Sequence, residues 1–256
     1  MKYSIAILMF AGCIIPAAAD VITILPATGI SNALTEENSW ITTNFGVGAS
    51  GDVVTTFENL AYGPYTSLIT NIGTFSTISG GSGSTGAGTG GNSFTILNNS
   101  NSPFSGRFNT TPGGKSWLDS NDINKLQLST NATSLFFFIT DANDQGGHLM
   151  IQTADGTIVN FPTGNANGNI FFVGITSTDP IGTIQWLNTS TADGFGLDDF
   201  GIVQLPDPSP VPEPASWPSA AAALLIVAAA VRLRARSATA STPPPTVRRG
   251  AARSTR

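Results

Sequence analysis

The sequence predicts an all-β fold, a sandwich of short strands, on three observations. Residues 20–210 are poor in charge and rich in Gly, Ser, Thr and Asn. Their apolar residues fall in short β-branched and aromatic runs bounded by turn formers, as in β-sandwiches. No long stretch keeps apolar residues at i, i+3 and i+4, so helix signals are nearly absent.

The runs place strands at 53–58, 94–97, 126–130, 135–140, 148–153, 157–161, 170–175, 181–187 and 201–205. Asp155-Gly156 stands between two alternating runs and marks a hairpin, because Gly tolerates the positive φ such a turn needs. Phe136-Phe137-Phe138 is apolar on both faces, which places its strand centrally. Residues 79–92 hold only Ser, Gly, Thr, Ala and Asn. They cannot bury a core and read as a flexible loop within one sandwich spanning 20–205. The stretch 20–78 shows few strong strands. Pro206, Pro208, Pro210, Pro212 and Pro214 make 206–214 a stiff, extended spacer.

Both ends of the chain carry signals. Lys2, the apolar run 5–15 and Pro16-Ala17-Ala18-Ala19 are ordered as a signal peptide. Ala17 and Ala19 are the small residues of the cleavage region, which puts Asp20 first in the mature chain. Phe10-Ala11-Gly12-Cys13 approximates a lipobox, but Phe stands where Leu is usual, and Ile14-Ile15 follow Cys13 where a polar tether belongs. Cys13 is the one cysteine and departs with the leader, so the mature chain has no disulfide and no thiolate chemistry.

At the other end, the apolar stretch 219–231 spans about 20 Å as a helix at 1.5 Å per residue. Counted from Ala215 it reaches about 25 Å, against a bilayer core of about 30 Å. It is Ala-rich and makes a weak anchor. Arg232, Arg234 and Arg236 orient it with the C-terminus in the cytoplasm by the positive-inside rule. Between residues 20 and 210 the bases are Arg107, Lys115 and Lys125 against fifteen acids, a net charge of −12. From Arg232 to Arg256 there are seven arginines and no acid. An acidic outer domain argues against a nucleic-acid partner, which needs clustered Lys and Arg.

Val211-Pro212-Glu213-Pro214, the apolar run 215–231 and the three arginines together resemble the PEP-CTERM sorting signal read by bacterial exosortases. The resemblance covers residues 211–236. It implies export, a precursor held in the inner membrane through 215–231, exosortase and signal peptidase as processing partners, and a mature form on the cell surface or in the extracellular matrix. The tail 237–256, with Pro243-Pro244-Pro245, departs from the pattern, since such signals stop close to their basic cluster; it reads as disordered. Two further passages, Gly106-Arg107-Phe108-Asn109-Thr110-Thr111-Pro112-Gly113-Gly114 and Asp193-Gly194-Phe195-Gly196-Leu197-Asp198-Asp199-Phe200, resemble segments of exported proteins bearing that signal. That resemblance implies a jelly-roll-like β-sandwich ectodomain, and no chemistry.

Catalytic signals are weak. His148, the one histidine, opens an expected strand and reads as a strand-edge residue. No nucleophile elbow, P-loop or dinucleotide fingerprint occurs. Asp198 and Asp199 are adjacent, and in an extended strand neighbouring side chains point to opposite faces. A glycosidase-like site would have to pair Asp141 or Asp144 with Asp198 across a cleft. The expectation is a protein without catalysis or a cofactor, other than a possible structural Ca²⁺.

That ion has a candidate loop. Asp141-Ala142-Asn143-Asp144-Gln145-Gly146-Gly147 alternates oxygen donors before a glycine, although Gln145 and Gln152 stand where an EF-hand needs stronger ligands. Asp193 with Asp198 or Asp199 supplies a second oxygen cluster. A plain Asx-turn explains the loop as well. For carbohydrate, Trp117 is the candidate stacking platform, with Tyr62 and Tyr65 beside Gly63-Pro64; Trp186 alternates with Ile184 and reads as core. An ice-binding surface ranks low, because regular Thr-x-Thr ladders are missing. Asn109-Thr110-Thr111 and Asn188-Thr189-Ser190 match glycosylation sequons of little weight in a bacterium. The favoured role is therefore structural or interactive in an exopolysaccharide matrix, with carbohydrate binding as the alternative.

Overall fold

The computed structural model describes residues 19–79, 92–120, 123–189 and 193–206. The expected leader through residue 18, residues 80–91 of the expected Gly/Ser loop, the stretch 211–236 that resembles a sorting signal, with its apolar run 215–231, and the tail 237–256 lie outside these residues. Every described residue belongs to one compact unit that ends at Pro206. Among the described residues no helix is long and apolar enough to cross a membrane.

In chain order the elements are β1 (Val21–Ala27), α1 (Ile30–Phe45), β2 (Ser50–Thr55), β3 (Gly63–Tyr65), β4 (Ser67–Thr70), β5 (Gly73–Ser79) and β6 (Phe94–Asn98). There follow β7 (Ser116–Asp119), β8 (Lys125–Thr130), β9 (Ser134–Thr140), β10 (Leu149–Thr153), β11 (Ile158–Asn160), β12 (Ile170–Thr176), β13 (Gly182–Asn188) and β14 (Gly196–Gln204). They build two antiparallel sheets. One runs β1-β12-β9-β14-β7-β6-β3, with β2 added against the second half of β14; the other runs β11-β10-β13-β8-β5-β4.

The sheets pack face to face over one apolar core. Leu135, Phe137, Ile139, Val173, Leu197 and Phe200 from the first sheet meet Phe75, Leu126, Leu128, Ile151, Ile184 and Trp186 from the second. The alternation along β9, with 135, 137 and 139 inward and 136 and 138 outward, is the period of two that a pleated strand dictates. Aromatic rings lock the centre: Phe137 stacks on Phe200 at 4.8 Å, and Trp186 meets Phe137 edge-on at 5.4 Å. Each such pair adds about 0.5–1.5 kcal/mol beyond its buried area.

The expected β-sandwich class, the nine expected strand regions, the Asp155-Gly156 hairpin, the central Phe136–138 strand and the core Trp186 all match this architecture. Two expectations are corrected. Five strands begin within residues 20–78, among them β1, β3 and β4, three of the four terminal strands of the two sheets. A 16-residue helix, α1, lies there as well.

The helix escapes a search for apolar periodicity because Glu37 interrupts its buried stripe of Ala33, Trp40 and Ile41. That stripe covers the outer side of the first sheet, against Phe136, Phe138, Ile170 and Phe172. Gly174 of β12 makes the seat: any Cβ there would run into the Trp40 indole, so the strand must be bare where the ring lies. Gly46, at positive φ, ends the helix by donating its N–H to the Thr42 carbonyl at 3.0 Å.

Candidate functional site

The outer face of the first sheet, beside α1, carries a buried polar clasp. Its origin is a bulge in β14. Leu197 and Phe200 both face the inter-sheet core, which a regular strand would forbid at a spacing of three. One extra residue is accommodated by a register shift against β9 between Asp198 and Gly201, with Asp199 at φ 53°. Asp198 and Asp199 therefore point the same way, outward, and the expectation that they diverge to opposite faces is overturned.

Both carboxylates grip the passage Asn109-Thr110-Thr111. Asp198 Oδ2 accepts from the Thr110 N–H at 2.8 Å, the Asn109 amide at 2.9 Å and the Thr111 N–H at 3.2 Å. The Thr110 hydroxyl donates to Asp199 Oδ2 at 3.0 Å, and the Thr111 hydroxyl donates to Asp199 Oδ1. Glu58 holds the next stretch, accepting from the Lys115 N–H at 2.6 Å and the Ser116 N–H at 2.7 Å. The Asn109 amide bridges Glu58 and Asp198. The two passages that sequence resemblance singled out thus meet as donor and acceptor halves of one structure.

Arg107 anchors the other end of that segment. Its Nη1 donates to both oxygens of Asp119 at 3.2 Å, and its Nε lies 3.5 Å from Asp141 Oδ2. The guanidinium also rests 4.0 Å over the Phe104 ring. Asp119 is fully buried, so its charge needs partners, and the Arg107 guanidinium is one of them.

Burial sets the electrostatics. Loss of hydration, then the charge of Asp199, raises the Asp198 carboxyl well above the usual carboxylate range. Asp199 is raised too, by burial and against the pull of its threonine hydrogen bonds. Glu37, in the apolar stripe of α1, is pushed up to about 7 by burial and then by Asp199. A cluster of this kind favours neutral acids and closes on its own chain.

The six residues expected to hold Ca²⁺ do not converge on one place. Asp141 pairs with Arg107 and accepts the Gly168 N–H at 3.0 Å. Asp198 and Asp199 sit in the clasp. Asn143 spends its side chain on backbone, accepting from Leu149 N–H at 2.8 Å and donating to the Pro162 carbonyl at 2.9 Å. That leaves Asp144 near Asp193, whose Oδ2 accepts from the Gly147 N–H at 2.6 Å and the Gln145 N–H at 3.0 Å. Asp193 is raised by burial, with the Asp144 charge acting in the same direction. Among the described residues no three His, Cys, Asp or Glu side chains gather as a metal-holding group.

The carbohydrate platform fails on burial. Trp117 is 1% exposed, on the outer face of β7 beneath the 106–111 segment, and cannot stack on a sugar. Tyr62 is half exposed, while Tyr65 is stacked on Phe94 and donates its hydroxyl to the Ala61 carbonyl. His148 is exposed just before β10. The carboxylates weighed for glycoside hydrolysis are not brought together across a cleft: Asp141 and Asp198 are both buried and internally bonded. A separate cavity of about 560 Å³ opens at one end of the sandwich. Thr70, Asn71, Thr74, Ser129, Thr130 and Asn131 supply its hydroxyls and amides, and no charged side chain lines it.

Sequence reasoning missed Arg107, Thr110, Thr111, Asp119 and Glu58 as working parts. One signal was available for the first of these. Arg107 is the sole arginine between residues 20 and 210, in a stretch carrying fifteen acids, and a lone guanidinium in such a setting marks a buried pair. No protein-family model matches the chain, and no curated protein matches it.

Proposed function

We propose that the chain is an exported, exosortase-sorted protein of the cell surface or exopolysaccharide matrix, whose jelly-roll-like sandwich serves as a structural or interaction module without catalysis. The observation that carries this reading is the order of signals along the chain. A leader precedes the acidic domain, and the proline spacer, Val211-Pro212-Glu213-Pro214, the apolar run and the arginines follow it. The clasp supports the non-catalytic part, because its acids are spent on holding the 106–116 segment to the sheet. Signal peptidase and exosortase are the partners during export, and the membrane is engaged through 215–231 before processing.

Mass spectrometry of the form released by the native cell tests the sorting. The expected mature chain lacks the arginine-rich tail; a mature chain that retains Arg232, Arg234 and Arg236 overturns the reading.

A second reading, a carbohydrate-binding module, is favoured by the uncharged cavity at the sandwich end, since neutral hydroxyl and amide groups suit a glycan. Retention on polysaccharide affinity gels that falls with Thr70→Ala or Asn131→Ala, in variants that remain folded, supports it. Absence of retention across a panel of bacterial polysaccharides removes it.

A further inference from the structure

The first residue after the expected leader has a partner waiting for it. The Asp20 N–H donates to Asp155 Oδ2 at 2.8 Å, across a sequence separation of 135 residues. Asp20 is buried, whereas Asp155 sits at the tip of the hairpin joining β10 and β11. Its carboxylate is already oriented there. Thr153 donates its hydroxyl to Oδ1 at 2.7 Å, and the Thr157 N–H does so at 2.8 Å. The Thr157 hydroxyl reaches Oδ2 at 2.9 Å. The contact joins the two sheets at one margin of the sandwich, since β1 is the end strand of the first sheet and β11-β10 the end pair of the second.

We propose that Asp155 is the receptor for the mature N-terminus, formed when the chain is cut between Ala19 and Asp20. This rests on the leader reading given above. Hydrolysis adds water across the Ala19–Asp20 amide: the hydroxyl stays on the departing Ala19 carboxyl, and a hydrogen goes to the Asp20 nitrogen. That amine takes a further proton from solvent and becomes an ammonium. A neutral N–H donor is thereby replaced, at the same place, by a charged one facing a carboxylate, the stronger type of hydrogen bond. The pair pins edge strand β1 to the β10–β11 hairpin.

Two independent lines converge on this bond. The small-residue pattern Ala17-Ala18-Ala19 selects it from the leader side. The Asp155 carboxylate selects it from the folded side, because an amine one residue earlier would stand about 3.8 Å farther along the chain. Cutting must also come before β1 docks on β12, since Asp20 is buried in the folded chain.

The experiment uses chains 20–256 released from a cleavable fusion that leaves no extra residue, with and without Asp155→Asn, and 19–256 as reference. Each is treated near pH 7 with an amine-reactive reagent, and modification of the N-terminal peptide is followed by mass spectrometry. Only the unprotonated amine reacts, and an ammonium engaged by a carboxylate holds its proton more tightly. The 20–256 chain therefore labels roughly 3- to 10-fold more slowly than its Asp155→Asn variant. In 19–256 the same substitution leaves the rate unchanged. Melting curves establish that each chain is folded; should Asp155→Asn fail to fold, 20–256 is compared with 19–256 and is again the slower. Equal rates for 20–256 with and without Asp155, or for 20–256 and 19–256, overturn the receptor. The N-terminus of the natively exported protein separates the two claims. A first residue other than Asp20 defeats the leader reading and the proposal that the pair forms on maturation, while the labelling result still reports on the contact itself.

Discussion

Asp198 and Asp199, consecutive in the chain, turn their carboxylates to the same side of β14 and share the Thr110 hydroxyl, at 3.3 and 3.0 Å. The bulge that permits this places an acidic residue at φ 53°, a conformation Asp accepts more readily than most side chains. In return, the two aspartates tie a segment with no strand or helix of its own across an otherwise bare stretch of sheet.

Removing the stronger hook should therefore expose the cost. Asp198→Ala leaves the buried Thr110 N–H without an acceptor and is expected to destabilise the fold by about 2–4 kcal/mol. Asp198→Asn keeps an acceptor oxygen and relieves repulsion with Asp199, so its loss should be smaller. Urea denaturation of both variants checks the order, and an Asn variant as unstable as the Ala variant contradicts it.

Glu37 gives the clasp a pH signature. A carboxyl raised from 4.5 to about 7 binds its proton more tightly folded than unfolded, so its contribution is fully present below pH 4.5 and is lost as pH rises through 7. Asp198 and Asp199 act in the same direction. Asp155 acts oppositely: desolvation raises it, but the hydrogen bonds from Asp20, Thr157 and Thr153 bring it down to about 2, so its contribution fades only as pH falls toward 2. The protein should be more stable at pH 5 than at pH 8. Glu37→Gln should recover on the order of 2–3 kcal/mol at pH 8 and little at pH 4, read from denaturant midpoints at the two pH values.

Arg107 neutralises Asp119, whose side chain is wholly buried. Arg107→Ala removes the guanidinium from that buried charge and is expected to cost about 3–5 kcal/mol. Arg107→Lys keeps the charge but loses the fork and the stacking on Phe104, and should fall between. The double variant Arg107→Ala, Asp119→Ala should be more stable than Arg107→Ala alone. If it is less stable, the pair is not what Asp119 needs.

The parts legible in the sequence were those governed by local pattern. Phe136-Phe137-Phe138 announces a strand buried on both sides, and Asp155-Gly156 announces its turn, because each depends on a few neighbouring residues. The helix was hidden by Glu37, a polar residue in the stripe whose burial depends on what α1 packs against. Strands β3, β4 and β7 have three or four residues, too few for an alternation to declare itself. The clasp was half legible. Both passages could be marked, but their meeting spans 88 residues, and the bulge that reverses the facing of Asp199 follows from the three-dimensional register of β14 against β9.

Trp117 offers a clean separation between core and platform. Buried beside Gly196 of β14, it behaves as a packing residue, and Trp117→Ala should cost about 3–5 kcal/mol. Any polysaccharide retention by that variant should fall only in proportion to the folded fraction. Full stability with abolished retention would place the ring in a binding surface after all.

Calcium supplies the last test. Asp141 is committed to Arg107, Asn143 to the backbone of Leu149 and Pro162, and Asp198 and Asp199 to the clasp, which leaves Asp144 and Asp193 as the remaining pair. Among the described residues no third acidic side chain joins this pair, and burial already disfavours charge on Asp193. The melting temperature should therefore be the same in chelator and in millimolar calcium at pH 7. Asp144→Asn should raise it slightly in both, by removing the like charge facing Asp193. A calcium-dependent rise that Asp144→Asn or Asp193→Asn abolishes would instead assign a cation to this pair.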